Sequence, residues 1–97
     1  MSSPSISAKI ARLESIADSV PSAGSESELR RLGSQAMGTA LSIKEELESH
    51  GISAESEELY DVCKGYDYGD DLATLKENLQ IVLQQFAGYY RALATGL

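Results

Sequence analysis

The sequence predicts an all-α fold: a small four-helix bundle built on a long antiparallel helical hairpin (about 26–50 and 71–95), with two shorter helices (about 6–20 and 54–64). Three observations predict it. Apolar residues recur at alternating steps of three and four, the period of one helix face. The starts of the helical segments carry side chains suited to capping, and the first two stop at a proline and a glycine. No stretch alternates apolar and polar residues as a half-buried strand would.

The first helix is carried by Ile6, Ile10, Leu13, Ala17 and Val20, which fall on one stripe. Ser5, after Pro4, offers a hydroxyl to the free amides at its start, and Pro21 pushes its predecessor out of helical conformation. The second helix opens on Ser25-Glu26-Ser27-Glu28, a capping box in which Ser25 and Glu28 serve each other's amides. Its stripe is Leu29, Leu32, Ala36, Ala40, Ile43 and Leu47, and Gly51 is the expected left-handed stop. Its middle, GSQAMGTALS, holds two glycines and favours close approach of a neighbouring helix over a break near Gly38, because the stripe continues in phase.

The third helix is short, with Glu55, Glu57 and Glu58 in its first turns, where the helix dipole favours acids, and Leu59, Val62 and Cys63 facing inward. Gly65 and Gly69 bracket a Tyr-Asp-Tyr loop. Asp70 or Asp71 caps the last helix. Leu72, Leu75, Leu79, Val82, Phe86, Tyr89 and Leu93 then form a heptad seam. Ile81, Leu83 and Tyr90 widen the seam to one flank. An apolar stripe broader than one neighbour needs implies a second contact. The two helices of similar length should pair antiparallel and leave apolar surface bare, so the sequence predicts a homodimer or capture of a helical partner, with Ile81, Leu83 and Tyr90 lining that surface.

The 97 residues make one domain with a modest aliphatic core, since Trp is absent and Phe occurs once. A chain of this size buries roughly 60–65% of its unfolded surface, which leaves little for a deep cleft. The net charge of −7 argues against direct nucleic-acid binding, which depends on neutralising phosphates, and against anionic membranes. One cysteine forms no internal disulfide, no apolar run approaches the ~20 residues that span a bilayer, and a cytoplasmic protein is expected, with leaderless secretion the alternative.

No motif calls for catalysis, a cofactor or a metal. Cys63 falls in phase with Leu59 and Val62, as a small hydrophobe would. His50 abuts a helix stop rather than sitting mid-helix as a phosphoryl acceptor would. Asp67, Asp70 and Asp71 do not follow the alternation of a calcium loop. The charge pattern is more informative: residues 45–71 contain ten acids and one base, Lys64. Tyr60, Tyr66 and Tyr68 lie inside that block, and tyrosine is enriched at binding hot spots. The expected function is a non-enzymatic protein–protein interaction module, with Tyr60, Tyr66, Asp67, Tyr68 and Asp70 joining Ile81, Leu83 and Tyr90 at the interface. The alternative is an acidic inhibitor that occupies a basic, nucleic-acid-binding surface of a partner protein.

Overall fold

The computed structural model describes residues 4–55 and 71–95, and these form three α-helices and a single 3-10 turn, with no strand among them. Helix α1 runs Pro4–Ser19 and passes into the 3-10 turn Val20–Ser22; α2 runs Glu26–Ser49 and α3 runs Leu72–Ala94. The all-α expectation holds, but four helices are not what the described residues contain. Of the expected third helix, Ala54 and Glu55 are non-helical, and residues 56–64, Cys63 among them, lie outside the described residues.

Local chemistry sets each boundary. Helix α1 already includes Pro4, so Ser5 sits inside the first turn rather than acting as its cap; proline suits a first turn, where its missing N–H would have no partner. Pro21 ends α1, and the same missing N–H leaves the Ala17 carbonyl without its helical donor. The Gln80 amide from α3 supplies that donor at 3.2 Å, and the Lys76 ammonium donates to the Ala23 carbonyl at 2.8 Å. Ser25 caps α2, its Oγ accepting from the Glu28 amide at 3.2 Å. The Glu28 carboxylate reaches back to the Gly24 amide at 2.9 Å, one residue earlier than an ideal capping box.

At the far end of α2, Gly51 takes φ +79°. Its N–H donates to the Glu48 carbonyl and that of Ile52 to the Leu47 carbonyl, both at 3.0 Å, which is the paired bonding of a Schellman stop. Helix α2 runs unbroken through its small-residue segment. Gly33, Ala36 and Ala40 are buried, while Gly38 is on the solvent face, where an added Cβ would meet nothing within 4 Å. Asp71, not Asp70, caps α3 and accepts from the Thr74 amide at 2.8 Å; that bond holds its carboxyl below the ordinary range.

The helices are not arranged as a hairpin of the two long ones. Lys9 of α1 meets Glu46 of α2 at 3.4 Å, so the start of α1 lies by the end of α2. Arg91 of α3 pairs with Glu14, while Gln80 and Lys76 reach the end of α1 and the connector beyond it. Helix α1 is therefore antiparallel to both longer helices, which run parallel to each other. Glu55, just beyond α2, confirms this by bonding to Tyr89 and Tyr90 near the end of α3. The end of α2 and the start of α3 thus lie at opposite ends of the bundle. The sequence-based inference paired elements by length, but packing placed the short α1 at the centre, against both α2 and α3.

The core is aliphatic and continuous. Ile6, Ile10, Leu13 and Val20 meet Ile43 and Leu47 of α2 and Leu83 and Tyr90 of α3, all at most 1% exposed. Leu32, Ile52, Leu72 and Leu93 are half-buried at its margin.

Candidate protein-interaction face

Leu83 and Tyr90, expected to line an exposed surface, are instead fully buried, whereas Tyr89, assigned to the core seam, is 38% exposed. A strict heptad follows 3.5 residues per turn. A straight helix has 3.6, and the two drift apart by about 20° per heptad. Over the three heptads from Leu72 to Leu93 the buried face keeps Leu75, Leu79, Val82 and Phe86 of the seam but turns toward Leu83, Ala87 and Tyr90, leaving Tyr89 outside.

Ile81 stays outside, as expected, at 44% exposure. It belongs to a stretch of α3 from Asn78 to Tyr90 that contains no charged side chain. The exposed residues of that stretch are Asn78, Ile81, Gln84, Gln85, Gly88 and Tyr89. Glu77 bounds it at one end and Arg91 at the other, both exposed. An added Cβ on Gly88 would meet nothing within 4 Å among the described residues, so the side-chain surface of the helix has a gap there. A second uncharged stretch, Leu32–Ile43 of α2, exposes one large apolar residue, Leu41, among Ser34, Gln35 and Gly38.

Beside the α3 face, a cavity of about 230 Å³ is lined by Glu55, Gln85, Phe86 and Tyr89. Its wall is an aromatic cluster. Phe86 stands edge-on to Tyr89, with centroids 6.0 Å apart, and Tyr90 lies 5.7 Å from Phe86 and 5.5 Å from Tyr89. The two tyrosines hold one residue between them: the Glu55 N–H donates to the Tyr89 oxygen and the Tyr90 hydroxyl donates to the Glu55 carbonyl, each at 3.1 Å. Burial, and secondarily the neighbouring Tyr89, pushes the Tyr90 hydroxyl up to about 12. Sequence reasoning missed this clamp, because nothing in the spacing links residue 55 to residues 89 and 90.

Tyr60, Tyr66, Asp67, Tyr68 and Asp70 lie outside the described residues. Of the acidic block 45–71, the described members Glu45, Glu48, Glu55 and Asp71 are exposed, and Glu46 is half-buried against Lys9. Glu46 Oε2 is buried without a hydrogen-bond partner among the described residues. The described residues include no group of histidine, cysteine or carboxylate side chains placed to hold a metal ion, and no helix long and apolar enough to cross a membrane.

Comparison of the chain with protein-family models, with curated proteins and with solved structures finds no significant match.

Proposed function

We propose that this chain is a non-enzymatic protein–protein interaction module, an adaptor, regulator or assembly subunit, that binds through the outer face of α3. The observation that carries the reading is the exposure of Ile81 and Tyr89 on a charge-free helical stretch in a chain of net charge −7. Depletion of charge with aromatic enrichment is the compositional mark of an interface centre. Gln84, Gln85 and Asn78 around the two apolar side chains supply a polar rim. The cavity beside Tyr89, about 230 Å³, is below the roughly 300–1,000 Å³ of small-molecule sites and suits a single inserted side chain. The single cysteine, which forms no internal disulfide, supports a cytoplasmic setting.

A photo-reactive amino acid placed at Gln85 tests the reading in living cells, with the same group at Ala11 on the exposed side of α1 as control. Covalent protein adducts are expected from position 85 and not from position 11, and Ile81→Glu should abolish them. No adducts at 85, or equal adducts from both positions, would refute binding through α3.

A further inference from the structure

Resting on that reading, we propose that the occupant of the α3 face is a second copy of the same chain, packed antiparallel about a two-fold axis passing between Gln84 and Gln85. Each residue of a helix advances about 100° around its axis. Measured from Ile81, Gly88, Ala92, Gln85 and Glu77 all fall within about 40°, and Arg91 and Tyr89 lie about 80° away on opposite flanks. The face therefore reads, from start to end, acid, large apolar residue, paired amides, glycine gap, base.

That order is complementary to its own reverse. With the axis midway between Gln84 and Gln85, Ile81 lies opposite the copy's Gly88. Glu77 comes within one residue's rise, about 1.5 Å, of the level of the copy's Arg91. A two-fold of this kind also sets each flank against the same flank of the copy. Glu77 and Arg91 share a flank, so the acid meets the base twice. Gln84 meets its own counterpart on that flank and Gln85 meets its own on the other; an amide, being both donor and acceptor, pairs with itself.

Gly88 gives a second argument. Glycine inside a helix weakens it, and nothing among the described residues requires one here, since a Cβ would meet none of their atoms within 4 Å. A copy's Ile81 inserted over position 88 does require it. Charge gives a third. Two chains of net charge −7 repel, and this contact sets uncharged side chains at its centre and, at each end, Glu77 of one copy beside an Arg91 that also pairs with Glu14 of its own chain. The α2 stretch has one exposed large apolar residue, and Gly38 stands in its middle rather than opposite one. A contact four turns long is small for a stable dimer, so the association is weak and concentration-dependent.

Sedimentation velocity of the whole chain from about 10 μM to about 1 mM should show a monomer–dimer equilibrium. Ile81→Glu should leave a monomer with an unchanged helical circular dichroism spectrum, and Leu41→Glu should leave the dimer intact. Glu77→Arg should weaken the dimer about 3–10-fold; so should Arg91→Glu made together with Glu14→Arg, which keeps the intrachain pair to Glu14 in reversed sense. The combined variant, which adds Glu77→Arg to that pair of changes, should recover most of the loss. A dimer lost in Leu41→Glu but kept in Ile81→Glu would overturn the placement. Failure of the combined variant to recover would overturn the two-fold register. A monomer at every concentration, with adducts from position 85 to other proteins, would overturn self-pairing and leave the interaction module standing. A monomer with no adducts would overturn both.

Discussion

Truncating Leu83 and Ile81 to alanine separates the two registers that α3 offers. Leu83 is fully buried between α3 and the rest of the core, and Ile81, two residues away, is 44% exposed. Leu83→Ala removes buried apolar atoms and leaves a cavity in a packed interior, which costs about 2–5 kcal/mol. Fully burying an isoleucine side chain is worth about 1.5–3 kcal/mol. Ile81 has little more than half of that to lose, and alanine recovers roughly 0.4 kcal/mol of helix propensity. Ile81→Ala should therefore cost about 1 kcal/mol or less at concentrations where the chain is monomeric. A domain of this size has a total stability of about 5–15 kcal/mol, so Leu83→Ala removes a large share. Its thermal midpoint should fall by about 8–40 °C, at roughly 4–8 °C per kcal/mol. Urea titrations followed by circular dichroism at 222 nm measure both variants in a single assay. Equal losses, or a larger one for Ile81→Ala, would refute the placement of Leu83 in the core and of Ile81 on the open face.

Three other perturbations follow from the backbone and the tyrosine clamp. Gly51→Ala forces a Cβ into φ +79° and should cost about 1–2 kcal/mol by urea unfolding, more than alanine at Gly24, Gly38 or Gly88. Gly38→Ala, in open space on a helix interior, should stabilise by about 0.5–1 kcal/mol in the same assay. Tyr90→Phe leaves the Glu55 carbonyl without its donor and should cost about 1 kcal/mol at neutral pH. The Tyr90 hydroxyl is raised from 10.0 to about 12 by burial, so folding favours its protonated form. That contribution is complete below pH 10 and is lost as pH rises through 12; urea midpoints across this window should fall in the parent chain and fall less in Tyr90→Phe.

Much of this fold is written locally. The Ser25 cap, the Gly51 stop, the end at Pro21 and the apolar stripes of α1 and α2 each depend on a few neighbouring residues, and the structure places them as the sequence implies. What the sequence conceals is non-local. Tyr89 and Tyr90 are adjacent and chemically alike, and only the helix's true pitch, carried over three heptads, decides which one is buried. The direction of α3 relative to α2 depends on which helix packs on α1, and stripe lengths do not encode that choice. The exposed face was half legible: Ile81 could be read as a flank residue, but the gap at Gly88 is visible only once the helix stands in place.

The parallel arrangement of α2 and α3 also orders events in time. Helices α1 and α2 meet through a short connector, with Lys9 and Glu46 only 37 residues apart, whereas the Glu14–Arg91 contact spans 77 residues. Closing the longer loop costs more chain entropy before any contact compensates it, so the α1–α2 hairpin is expected to form ahead of the docking of α3. Changes at Ile43 or Leu47 should then slow folding, while changes at Leu79 or Leu83 should mainly hasten unfolding. The helix that carries the proposed interaction face should then be the last to be secured and the first to be released.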